Sequence, residues 1–329
     1  MQSRIRVFTA RLLRNGMVTT LLLGFLPSAM ATPKAYITNQ KDDTVSVIDT
    51  TGGTVVATLK VGSKPAGVAV SADGSRVVVS NPGSRDITLI DGRTDQVLAT
   101  LPVGESPVGI ALDSAGHAAY VADWYDRRVG VVDLDKRTLA GWISVGNSPA
   151  GVAVDPDGHS VYVANRDDDT VSRIDPLTRT VRQTLSVGRH PFGLTLDACA
   201  NRLYVANVES NDISIVDTRD FRVLKTIGVG DRPYATAIAL QGRQVWVTNQ
   251  YDNSVSVVDT ASDSVIATLR VGEYPEGIAV HPDGRRVYVA NWFSNTVSVM
   301  DAENLRTEAT IPVGNGSRAF GVFLPKVPD

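Results

Sequence analysis

Short apolar runs rich in Val and Ile alternate along the chain with clusters of Gly, Asp, Asn and Pro. One unit shows the pattern: Gly67-Val-Ala-Val70, Arg76-Val-Val-Val79, Ile87-Thr-Leu-Ile90 and Val97-Leu-Ala-Thr-Leu101, separated by turn signals that mark each run as a strand. The same order returns every 42 residues. Tyr36, Val78, Tyr120, Tyr162, Tyr204, Trp246 and Tyr288 each begin a strand ending whose commonest form is Tyr-Val-Ala-Asn. Asp49, Asp91, Asp133, Asp175, Asp217, Asp259 and Asp301 keep the same step. Four strands in such a unit is the size of a propeller blade. The period therefore predicts an all-β fold, a seven-bladed β-propeller of seven 42-residue repeats.

Several repeated residues have backbone reasons. Pro65, Pro107, Pro149, Pro191, Pro233 and Pro275 open the first strand of their units, which suits a strand lining a central channel. Gly67, Gly109, Gly151, Gly193 and Gly277 follow two positions on, with Ala235 in the one variant, as expected where strands crowd near the axis. The chain enters at the second strand of a unit and ends on an unaccompanied first strand, residues 319–324. Pairing of these N- and C-terminal strands is expected to close the ring and remove its open edge. Gly321 takes the place of Gly67 in the last copy if two residues are inserted after Gly314.

Residues 1–31 stand apart. Arg4, Arg6, Arg11 and Arg14 precede an apolar run at 17–26, and Ala29-Met-Ala31 offers small residues for cleavage, the pattern of a secretory signal peptide. The run is about half the ~20 residues of a spanning helix, and no later stretch approaches that length. The expected organisation is a signal peptide at 1–31 and a propeller at 32–329, periplasmic or secreted after cleavage near Ala31, with no membrane span and as a monomer. The remaining chain has 28 Lys and Arg against 35 Asp and Glu, a net charge of −7, which argues against a general polyanion binder. Cys199 is the single Cys, so neither an internal disulfide nor a Cys-x-x-Cys-His haem attachment is available. The run Asp167-Asp168-Asp169 lacks the alternate-ligand spacing of a calcium loop. The sequence calls for no metal and no cofactor.

The strand ending, with the segments Val-Gly-x-x-Pro-x-Gly-Val-Ala-Val and Pro-Asp-Gly, resembles the YVTN β-propeller repeat family over all seven copies. The resemblance implies the propeller fold but spans several functions. It covers surface and periplasmic proteins, redox-enzyme domains, lyase or lactonase-like enzymes, and exported members that bind single-stranded DNA.

A side chain kept in every unit holds blades together, whereas one that occurs once is free to act. The entry loops before the first strands and the loops between second and third strands share one face, and that face varies. It carries Trp124, Tyr125, Phe192, Tyr234, Tyr251, Tyr274, Trp292, Phe293 and Phe320. Arg189, His190, Arg232 and Arg318 are interleaved with this aromatic crescent, a composition suited to stacking with cationic support. The candidate ligand-binding set is Arg189, His190, Phe192, Arg232, Tyr234, Tyr251, Tyr274, Glu276, Trp292 and Phe293, without a catalytic residue. The crescent loops hold three Arg against six acids, whereas phosphate neutralisation requires a basic site. The occupant is thus a protein, a peptide or single-stranded DNA held mainly by stacking. The alternatives are a lyase or lactonase-like enzyme using His190 with Glu273 or Glu276, and a subunit docked to a periplasmic redox enzyme or an outer-membrane receptor. His117, His159 and His281 lie at turns of the opposite face and are expected to be solvated.

Overall fold

The computed structural model describes residues 33–325, and the proposed signal segment lies outside them. Seven antiparallel sheets stand radially around an axis. Blades 1 to 6 have four strands each and span residues 68–102, 107–144, 149–186, 191–228, 233–270 and 275–312. Blade 7 is built from β1 (Lys34–Asn39), β2 (Thr44–Asp49) and β3 (Thr54–Lys60), plus the C-terminal segment. None of the described residues forms a helix long and apolar enough to cross a membrane.

Burial falls from the axis outward, and this explains the hydrophobic pattern. A second strand such as Arg76–Asn81 is buried at all but its first position, while an outer strand such as Thr54–Lys60 is largely open. Strands covered on both faces by neighbouring blades read as continuous apolar runs. The outer edge, wetted on one side, mixes Val with Thr, Lys and Arg. Every outer pair also carries a register shift, such as that between Val47 and Ile48, and such bulges twist an exposed edge away from further pairing.

The repeated polar residues are structural. Asn39 Nδ2 donates to Thr44 Oγ1 at 3.0 Å and Ser46 Oγ at 2.9 Å, tying the second strand of a blade to its third. Asn81, Asn165, Asn207, Asn249 and Asn291 make the same pair of bonds. In blade 2 the position is Asp123, which cannot donate. It accepts the Glu105 and Ser106 N–H groups instead and faces Arg128 Nε at 3.1 Å. Asp91 accepts the Arg93 and Thr94 N–H groups of its turn, a bond that stabilises the turn and holds the carboxyl below the usual range. Tyr36 reaches the next blade, its hydroxyl donating to Gly92 O at 2.9 Å.

Crowding at the axis sets the glycines of the first strands: a Cβ on Gly109 would lie 1.8 Å from the Ala150 carbonyl oxygen of the next blade. The termini close the ring as expected. The segment 317–323 runs between β1 and β4 (Val68–Val70), with Arg318 N–H donating to Thr38 O and Tyr36 N–H to Phe323 O. On its other side Val68 and Val70 donate to Phe320 O and Val322 O.

The register there differs from the sequence expectation. Ser317 bridges Asn39 as Pro275 pairs with Asn291, and Ala319 N–H bonds Thr38 Oγ1 as Gly67 N–H bonds Ser80 Oγ. The 42-residue step thus continues to Ala319, and the irregularity comes after it. Gly321 sits at φ +116°, a conformation that L side chains rarely adopt, and a Cβ there would lie 2.5 Å from the Val68 carbonyl oxygen.

Candidate functional site

The step that places Ala319 also fixes a ring of equivalent side chains at the channel mouth. Ala66, Val108 and Ala150 are small, whereas Phe192, Tyr234, Glu276 and Arg318 on the four following blades are large. The large groups lean into the room the small ones leave. Phe192 stacks on Tyr234 with centroids 4.3 Å apart. Phe320 from the closing segment packs on both, at 4.9 and 5.4 Å, and Trp124 meets Phe192 at 5.9 Å. Phe192, Tyr234 and Phe320 are only 6%, 5% and 4% exposed. They plug the mouth, so Phe192 and Tyr234 lie inside an aromatic core where the sequence had suggested rings displayed for stacking.

An ion pair completes the plug. Arg318 Nε lies 2.8 Å from Glu276 Oε2, Arg318 Nη2 donates to Tyr234 Oη at 2.6 Å, and Gln250 Nε2 donates to Glu276 Oε1 at 3.1 Å. Burial pushes the Glu276 carboxyl up against the pull of Arg318. The same burial works against the Arg318 charge, and Glu276 with Tyr234 more than offsets it, keeping the guanidinium protonated. Burial also raises the Tyr234 phenol, so its hydroxyl stays neutral and able to accept from Arg318.

Further out lies a second group of rings, in which Tyr251 and Phe293 are exposed while Tyr274 and Trp292 are half-buried. Tyr274 lies 5.8 Å from both Tyr251 and Trp292 and 5.1 Å from Phe293, and Trp292 meets Phe293 at 4.5 Å. Tyr251 is 56% exposed and Phe293 51%. Lys41 Nζ sits 4.5 Å from the Trp292 ring centroid and 5.6 Å from that of Phe293, and the Arg232 guanidinium lies 5.1 Å from Tyr251. These contacts are cation–π pairs, each worth about 0.5–1 kcal/mol at an exposed site. Neither Lys41 nor Gln250 stood out in the sequence, since neither carries a signal until the loops are folded.

The backbone holds this ridge still. His190, Arg232 and Tyr274 occupy the same left-handed position before the proline, with φ of 53°, 57° and 56°. Such a residue costs about 1–2 kcal/mol, offset here by a bond from the preceding blade. The three N–H groups donate to Asp169 Oδ1, Asn211 Oδ1 and Asn253 Oδ1 at 2.8, 3.0 and 2.9 Å. Their side chains are therefore presented from a fixed frame.

Among the described residues His190 makes no hydrogen bond or ion pair with Glu273 or Glu276. Its Nδ1 lies 3.7 Å from Glu209 Oε1, which also takes the Arg232 guanidinium. Glu276 is committed to Gln250 and Arg318, and Glu273 stands exposed beside the rings. Arg189 donates to the Glu209 carbonyl at 3.0 Å. On the opposite face His117 is exposed beside Asp135, but His281 is 7% exposed. Its Nε2 meets Thr50 Oγ1 at 3.1 Å, joining blade 6 to blade 7, and its Nδ1 accepts the Asp283 N–H at 3.1 Å. It is a buried interblade residue, not a solvated one.

Two sequence profiles match parts of the chain: one described as a YNCE-like beta-propeller over residues 106–239, and one described as the Cytochrome D1 heme domain over residues 199–318. No match was found among curated proteins. Among solved structures, the fold is similar to a chain of hydrazine synthase from Kuenenia stuttgartiensis, with a TM-score of 0.73 and 21% identity over 81% of this chain and 91% of that one. It is also similar to a functionally unknown protein from Desulfotomaculum acetoxidans DSM 771, with a TM-score of 0.77 and 17% identity over 90% and 99%. The residues at the mouth do not fit a haem. Three rings at 4.3–5.4 Å fill the axis, and its one imidazole, His190, faces a carboxylate. The chain is a seven-bladed β-propeller related to the YNCE-like propellers.

Proposed function

We propose that the protein is an exported, non-catalytic docking subunit that seats on a redox enzyme through the ridge of Tyr251, Tyr274, Trp292 and Phe293. The observation that carries this reading is the contrast on one face between a filled channel mouth and a ridge whose outer rings, Tyr251 and Phe293, stand exposed. A plugged axis gives a small molecule little to enter, while exposed aromatic residues beside Arg and Lys are the side chains that anchor macromolecular interfaces. The redox assignment of the partner is supported by the partial match to a cytochrome D1 haem domain, which spans the blades bearing the ridge, and by the likeness to a hydrazine synthase chain.

Lys41 supplies the test, because its amine lies over Trp292. Amine-reactive crosslinking in the exporting host, followed by mass spectrometry, is expected to join Lys41 to a subunit of a redox enzyme. That crosslink should vanish in a Tyr251→Ala/Phe293→Ala variant. Crosslinks from Lys41 that are unchanged in the variant, or that reach no redox protein, would overturn the proposal.

A further inference from the structure

The ridge combines open rings with an excess of acid. The surrounding loops, residues 40–43, 231–234, 249–254, 273–276, 291–296 and 315–318, hold six acids against three cations. Arg232 is committed to Glu209 and Arg318 to Glu276, which leaves Asp231, Asp252 and Glu273 without a cationic partner among the described residues. Arg270, nearby on its strand, bonds the Asp252 carbonyl rather than the carboxylate. The rings already attract positive groups, since Lys41 lies over Trp292 and Arg232 over Tyr251. About half of the Tyr251 and Phe293 surfaces stays open for more.

We infer that the partner docks with a basic surface, its Lys and Arg side chains stacking on Tyr251, Tyr274 and Phe293 and pairing with Asp231, Asp252 and Glu273. This rests on the docking reading and goes beyond it by fixing the partner's charge. Each half of the recognition needs the other. An exposed ion pair alone contributes little, but a guanidinium flat on a ring with a carboxylate at its edge gains from both contacts. A nucleic-acid strand would instead bring phosphates to a net acidic rim, the reverse of what such binding requires.

The test uses a fluorescent peptide of alternating Arg and Gly, a Glu–Gly counterpart and an oligothymidine of matched length, each titrated into the mature protein. The Arg peptide is expected to bind and the other two are not. Raising salt from about 50 mM to about 300 mM should weaken it severalfold, because the shorter Debye length screens the acids. An Asp231→Asn/Asp252→Asn/Glu273→Gln variant should lose about tenfold or more in affinity, a loss of about 1.4 kcal/mol. These isosteres keep the hydrogen bond that Asp252 Oδ2 accepts from the Asp231 N–H, and the melting temperature of the variant should be unchanged. Binding of the oligothymidine, or Arg-peptide affinity indifferent to both salt and the acid variant, would overturn the basic-partner inference. If Lys41 crosslinks to the redox partner persist in the acid variant and at high salt yet disappear in the ring variant, docking stands and only the inference about charge fails. If they survive in both variants, the docking reading fails too.

Discussion

Phe192 and Phe293 belong to variable loops on one face of the propeller, yet one is 6% exposed and the other 51%. The difference lies in their place along the repeat. Phe192 follows the proline that opens a first strand, where equivalent side chains converge on the axis. Phe293 lies two residues past Asn291, farther out, where Tyr274, Trp292 and Lys41 touch it but leave about half of it open. Converging positions become core as soon as several are large. Phe192, Tyr234 and Phe320 gain about 0.5–1.5 kcal/mol per ring pair beyond simple burial, and the same closeness removes them from solvent. Aromatic content alone does not make a binding face; its distance from the symmetry axis decides.

The largest effect that separates the two regions is expected from Arg318→Ala. It leaves Glu276 buried without its cation, a loss of about 3–5 kcal/mol for a pair of this kind. Because Arg318 lies on the closing segment, the damage should appear as a lower melting temperature together with earlier proteolysis at the termini. Adding Glu276→Gln should recover most of the loss, since the uncompensated charge is then gone. A melting curve of Arg318→Ala that matches the parent would show that the plug does not depend on this pair.

A smaller effect comes from pH and belongs to neither region, which makes it a control on both. Burial at the blade 6–7 junction depresses the His281 pKa. The unfolded chain, near the ordinary 6.5, therefore binds the proton more readily than the folded one. Its contribution to stability is whole at neutral pH and is lost as pH falls through the unfolded value toward the depressed folded one. His281→Asp, the residue that blades 2 to 4 carry there as Asp113, Asp155 and Asp197, should flatten that part of the stability curve. Denaturant midpoints measured from pH 7 downward for both proteins check this, and parallel curves would contradict it.

Much of the fold was legible because symmetry repeats most physical requirements from blade to blade. The Asn that ties two strands, the Asp that caps a turn and the Gly that admits a neighbour's carbonyl each recur at one spacing. Where the repeat breaks, legibility falls. The last copy invited an insertion before Gly321, although counting 42 onward from Glu276 reaches Arg318 and so completes the mouth ring. The aromatic crescent was visible as a composition, but its division into a sealed plug and an open ridge depends on side-chain convergence that no linear pattern records. The left-handed backbone of His190, Arg232 and Tyr274 was equally hidden, because the capping Asp or Asn lies 21 residues earlier, in the preceding blade.

The central claim is that one ring cluster stabilises and the other binds, and a paired measurement tests it directly. Phe192→Ala and Tyr251→Ala/Phe293→Ala would each be taken through a thermal melt and through Lys41 crosslinking at a temperature where both remain folded. The plug variant is expected to lose about 3–5 kcal/mol yet keep its crosslinked partner. The ridge variant gives up two exposed cation–π contacts and is expected to lose only about 1–2 kcal/mol, less than the plug variant, yet to lose the partner. The opposite pattern, with a partner lost on opening the plug and kept after stripping the ridge, would move the binding site to the axis and contradict the account.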